Sequence, residues 1–200
     1  YKMNNIGDLL RLCEAYREYT TIPQRKKARI DSIIDLNRLL LIEEPLRELN
    51  DLIGLDDLKT AILPQILFYI QGLQSHNEFM NICLMGSPGV AKTTVAYIIA
   101  RLFSKLGFLS VGNVYVATRA TLIGGYLGQT ALKTEAFLKK CIGSVMFIDE
   151  IYSFGTSSTE GDSYAEEAIN MLNQFMSENT GNFMCIVAGY KEEIEQKFFS

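Results

Sequence analysis

The chain has no Trp, a single His and only four Cys among 200 residues. His76 has no second His with which to share a metal, so a zinc site of the usual kind is not expected. Cys13, Cys83, Cys141 and Cys185 are widely scattered, without a Cys-x-x-Cys pair, and three of them sit inside apolar runs. That usage predicts buried, reduced thiols in a cytoplasmic protein and argues against a disulfide framework. No apolar run is long enough to cross a bilayer and no stretch reads as a signal peptide, so no membrane partner is expected. Residue 1 is Tyr, which suggests an excerpt of a longer chain. Neither sign of charge dominates: 19 Lys and Arg stand against 23 Asp and Glu, a net charge of -4. That balance gives no electrostatic reason to expect nucleic acid. The basic stretch Arg25-Lys26-Lys27 with Arg29 is short and mixed, and reads as a solvated helix face.

Hydrophobic residues make up 48% of the chain, which excludes general disorder and supplies a core for one domain with a small appendage. Residues 1–49 read as a helical segment. Leu9, Leu12, Cys13, Tyr16 and Tyr19 recur at helical spacing, and Ile30, Ile33, Ile34, Leu40 and Leu41 do so less strictly. Thr20 to Pro23 reads as the turn between them, and their apolar faces need a partner. Pro45 starts a new segment. A helix is expected from Leu55 to Leu73, with Pro64 kinking or restarting it. From Asn81 onward, short apolar runs alternate with helical patterns. Strands are predicted at Asn81 to Met85, Asn113 to Ala117, Val145 to Ile148 and Phe183 to Val187. Helices are predicted around Val95–Leu106, Ala131–Ile142 and Tyr164–Phe175, and another opens at Lys191. Such alternation implies a parallel sheet covered on both faces.

The run Gly86-Ser87-Pro88-Gly89-Val90-Ala91-Lys92-Thr93-Thr94 lies between the first strand and a strongly periodic helix. A phosphate-binding loop belongs there. Glycines allow backbone N–H groups to curl around phosphate oxygens, and the following helix points its positive end at them. Lys92 would neutralise the β- and γ-phosphates, and Thr93 would place its hydroxyl on Mg²⁺. Ala91 departs from the usual pattern, which has Gly before the Lys. If Ala91 has ordinary helical φ the extra methyl is tolerated; if the methyl faces the phosphates, affinity falls. On this loop alone, a Gly-rich turn without a ligand remains an alternative.

Val145-Met146-Phe147-Ile148-Asp149-Glu150 adds a second motif: a buried strand with two acids at its carboxyl end. In an open parallel sheet that is the same rim as the phosphate loop. Asp149 would hold Mg²⁺ through water, and Glu150 would orient or deprotonate an attacking water. A Glu directly after the metal-binding Asp favours hydrolysis over phosphate transfer to a small molecule. No Asn-Lys-x-Asp for guanine is present.

Five stretches together resemble an AAA+ ATPase, and more narrowly the CbxX/CfxQ-type group, which includes red-type rubisco activases and ATPases associated with type VII secretion. They are Asp51-Leu52-Ile53-Gly54-Leu55, the loop from Gly86 to Thr94, Leu122 to Thr130, Phe147 to Ser153, and Ile186-Val187-Ala188-Gly189-Tyr190-Lys191. The resemblance covers residues 50–200. It implies a three-layer α/β/α P-loop NTPase fold of AAA+ type with a parallel sheet, preceded here by the helical segment 1–49. It also implies that Leu52, Ile53 and Gly54 line an adenine pocket and that Tyr190 stands at the γ-phosphate sensor position. Tyr126-Leu127-Gly128 matches a pore loop that grips a polypeptide. The implied partners are further copies of the chain in a homo-hexameric ring and a protein substrate, with ATP and Mg²⁺ at the site. A fifth strand, an arginine finger and a helical lid are not found before Ser200, so this stretch alone is expected to hydrolyse ATP weakly. Two other readings stay open: a DNA-directed loader or initiator, disfavoured by the acidic balance and by the absence of Lys or Arg in the Tyr126 loop, and a nucleotide-binding scaffold with little turnover.

Overall fold

The computed structural model describes residues 3–21, 34–73, 80–86, 91–126, 128–149 and 161–190. The sheet has four strands, β1 (Ile82–Met85), β2 (Val114–Ala117), β3 (Val145–Asp149) and β4 (Met184–Gly189), all parallel and ordered β1-β4-β3-β2. Parallel neighbours cannot be joined by a tight turn and need a crossover. Helix α5 (Lys92–Lys105) separates β1 from β2, the short α6 (Arg119–Leu122) and α7 (Gln129–Cys141) separate β2 from β3, and α8 (Gly161–Glu178) separates β3 from β4.

Alternation along β3 and β4 builds the layers. Val145 and Phe147 of β3, with Met184, Ile186 and Ala188 of β4, join an apolar cluster on one face, where α5 supplies Ile98, Ile99, Leu102 and Phe103. Met146, Ile148 and Cys185 face the opposite cluster, against Leu138 and Cys141 of α7 and Ala168 and Leu172 of α8. Both faces are covered, so these strands read as continuous apolar runs.

The N-terminal helices are α1 (Ile6–Thr21), α2 (Leu36–Leu41), α3 (Glu43–Asp51) and α4 (Asp56–Ile70). Asp35 caps α2 by accepting from the backbone N–H groups of Asn37 and Arg38. Pro45 lies in the first turn of α3, where a missing N–H costs no helical bond. Pro64 does not restart α4, which runs through it as one helix with Ile62, Leu63, Ile66, Tyr69 and Ile70 buried on either side. Burial of those side chains offsets the lost backbone bond.

The apolar residues of these helices belong to the α5 side of the sheet. Leu9 and Cys13 of α1, Leu46 and Leu49 of α3 and Ile66 of α4 share one cluster with α5, β3 and β4. Tyr69 meets Phe103 and Phe108 edge-on, with ring centroids 5.5 and 5.6 Å apart. Glu43 is buried between two cations, with Arg17 at 2.6 Å and Arg47 at 3.0 Å. Arg101 pairs with Glu48, and Lys105 with Glu44 at 2.6 Å, from α5 to α3.

Cys13, Cys141 and Cys185 are buried, and burial pushes their thiols up to about 11, 12 and 12 respectively. Cys83 departs from the expectation of buried thiols: it is exposed on β1, which has no neighbour on its outer side among the described residues. No helix among the described residues is long and apolar enough to cross a membrane.

Candidate nucleotide site

Parallel pairing brings the carboxyl ends of the strands to one rim. Met85 is in register with Gly189, and Asp149 with Ala188. The Gly86 N–H donates to the Gly189 carbonyl at 3.1 Å, tying the end of β1 to the end of β4. Gly86, Tyr190 and Asp149 therefore stand at the ends of three adjacent strands. With strands about 4.8 Å apart, Asp149 lies two strand spacings, about 10 Å, sideways from Gly86 and about two residues further back along the strands.

Helix α5 begins at this rim. Its N-cap residue, Ala91, makes no side-chain cap bond, and the first turn contains no acidic residue. The leading N–H groups of a 14-residue helix are thus left without a capping side chain, and its positive end is not neutralised by a carboxylate of its own first turn. Thr93 and Thr94 are exposed on that turn. Lys92 Nζ donates to the Gly86 carbonyl at 2.9 Å and lies 5.6 Å from the centroid of the Tyr190 ring. A cation, an open helix N-terminus and a carboxylate on one rim form a donor set suited to a polyphosphate with a divalent ion.

Ala91 has φ 48° and ψ 25°, in the left-handed region. The tolerated case, ordinary helical φ, is therefore not the one adopted. The position is one that Gly occupies freely and where a Cβ costs about 1–2 kcal/mol. Ala91 is exposed, so its cost lies in the backbone rather than in packing.

Around the expected adenine contact, Leu52 packs against the core while Ile53 is 98% exposed. Gly54 and Leu55 both have positive φ, 73° and 61°, and turn the chain into α4. Lys59 Nζ holds this turn by donating to the carbonyls of Asn50 at 3.0 Å and Leu52 at 2.6 Å.

Tyr126 is 75% exposed, so it is not folded onto the core. The segment carrying it is fixed at both ends. The Gly124 N–H donates to Thr130 Oγ1 at 3.1 Å, and Thr134 Oγ1 donates to the Leu122 carbonyl at 3.0 Å. Both threonines are fully buried. Gly128, with φ 79°, starts α7, and a side chain at Gly124 would strike Gln129 Cβ at 2.5 Å. These anchors were missed in the sequence, as was α6. The signal for α6 was Thr118-x-x-Thr121, whose hydroxyls form a reciprocal capping box.

Ser87, Pro88, Gly89, Val90, Leu127 and Glu150 lie outside the described residues, as do the basic stretch near residue 26 and the helix expected at Lys191. A cleft of about 480 Å³ lined by Arg17, Glu43, Arg47, Glu48 and Lys105 lies away from the rim. Its cations are engaged by Glu43, Glu14 and Glu44, so it is a structural charge network.

Residues 82–199 match the family model described as "ATPase family associated with various cellular activities (AAA)". A putative cfxQ-like protein of Acanthamoeba polyphaga mimivirus is 35% identical over 168 residues, 84% of this chain and 41% of the relative. Stage V sporulation protein K of Bacillus subtilis (strain 168) is 32% identical over 201 residues, 96% of this chain and 59% of the relative. The plasmid-borne protein CbxX of Cupriavidus necator is 38% identical over 167 residues, 80% of this chain and 52% of the relative. The chain spans about half the length of the curated relatives it matches. Among solved structures, the HORMA:CdnC:Trip13 complex of E. coli MS115-1 contains a chain with the same fold, at TM-score 0.54 and 15% identity, covering 77% of this chain and 63% of that one. The match over 82–199, the parallel sheet and the CbxX and cfxQ relatives place this chain in the AAA family of ATPases, in its CbxX/CfxQ-type group.

Proposed function

We propose that this chain binds ATP with Mg²⁺ at the rim between β1 and α5 and hydrolyses it, and that in the full-length protein hydrolysis drives remodelling of a protein substrate through a homo-hexameric ring in the cytoplasm. One observation carries the nucleotide reading: α5 opens without a cap or an acid at the rim where Lys92 is held. Lys92 would bind the β- and γ-phosphates, with Gly86 to Thr94 as the phosphate-binding stretch. Thr93 and Asp149 would hold Mg²⁺, which when bound neutralises phosphate charge. Glu150 holds and deprotonates the attacking water. Ile53 and Gly54 contact the base. Tyr126, with Leu127 and Gly128, grips the polypeptide; its exposure supports an aromatic contact rather than a basic groove for DNA. The other reading is a nucleotide-binding scaffold with little turnover.

Phosphate release by the full-length protein separates the two. Glu150→Gln is expected to keep ATP binding and to lower turnover by about 10²-fold or more, the scale of a lost general base. Equal, slow turnover by the two proteins supports the scaffold and overturns the enzyme reading.

A further inference from the structure

We infer that Tyr190 acts through the face of its ring, as a positioning residue for the Lys92 ammonium, and not through its hydroxyl as a phosphate sensor. The inference rests on the nucleotide reading of the same rim.

A short circuit of contacts carries it. The Lys92 ammonium donates to the Gly86 carbonyl at 2.9 Å. The N–H of the same Gly86 donates to the Gly189 carbonyl at 3.1 Å. Tyr190 is the next residue, and the centroid of its ring lies 5.6 Å from the ammonium nitrogen. That separation is within the range at which an aromatic face attracts a cation. Lys92 and Tyr190 are both partly buried, which limits the water competing for the charge.

The chemistry of the two contacts differs in a useful way. A carbonyl occupies one of the three ammonium donors. The ring face attracts the charge electrostatically without itself taking up an N–H. Lys92 can therefore be held beside Gly86, in the first turn of α5, before a phosphate arrives. Part of the ordering cost of a long side chain is then met before binding, which raises affinity without any direct contact from Tyr190 to the ligand. An Asn or Thr at this position would offer a hydrogen bond to phosphate but no such face.

The test uses the full-length protein and ADP carrying a fluorescent group. Tyr190→Phe keeps the ring and is expected to bind within about twofold of the unsubstituted protein. Tyr190→Leu removes the face and is expected to bind about three- to tenfold more weakly, the range for a partly desolvated cation–ring contact. A double-mutant cycle on the nucleotide-free protein guards against a folding effect. The drop in unfolding midpoint caused by Tyr190→Leu should shrink in the Lys92→Met background. Equal weakening by Phe and Leu overturns the inference in favour of the hydroxyl. Unchanged binding by both, or a Leu effect independent of Lys92, overturns the ring's role. No ADP binding by the unsubstituted protein overturns the nucleotide reading itself, and this inference with it.

Discussion

Ala91 shows how much one methyl group means when the backbone chooses its conformation. In the sequence it is the smallest departure from Gly, and its cost depends on a dihedral that no neighbouring residue reveals. With φ at 48° the methyl is paid for in the backbone. Ala91→Gly removes about 1–2 kcal/mol of strain but loosens the unfolded chain by about 0.5–1 kcal/mol. The net expectation is a gain of between about 0 and 1.5 kcal/mol, read from the urea midpoint; a loss of stability would contradict a left-handed strain at Ala91. Tyr126 is a second residue whose setting the sequence left open. Glycines on either side mark a turn, but its exposure depends on Thr130 and Thr134 holding the loop ends from inside α7.

The helices and strands differ in how readable they are, for physical reasons. β3 and β4 were plain in the sequence because strands buried on both faces are continuously apolar, and α5 because one face is nearly unbroken from Val95 to Phe103. The placement of β4 between β1 and β3 was not legible, since strand order is set by crossovers rather than by local pattern. Nor was the four-residue α6, too short for any periodicity. Pro64 does not restart the helix: a tertiary contact surface on both sides of it keeps α4 one element. Between α3 and α5 the apolar contact should outweigh the ion pairs beside it. Leu49 is fully buried in the shared cluster, so Leu49→Ala is expected to cost about 2–5 kcal/mol. Glu48 and Arg101 are each about two-fifths exposed, so Glu48→Gln should cost under about 1 kcal/mol. Denaturant unfolding of both variants checks the ranking; a larger loss for Glu48→Gln would reverse it.

The chain as a unit joins two parts that its sequence presents separately. Only the part after residue 50 carries the motifs, yet Leu9, Leu46 and Leu49 pack into the same cluster as Ile99, Phe147 and Ile186. The N-terminal helices thus brace the helix whose first turn carries Lys92. The candidate site was legible as residue types and spacing, while its geometry needed the parallel sheet to bring Gly86, Asp149 and Tyr190 to a common rim. Everything proposed for this protein depends on that rim holding a nucleotide through Lys92. The affinity of the full-length protein for fluorescent ADP, measured beside Lys92→Ala, addresses this in one titration. Saturable binding that weakens at least about tenfold on loss of the ammonium is expected, the worth of a charge-assisted contact. Equal affinity in the two proteins would contradict it.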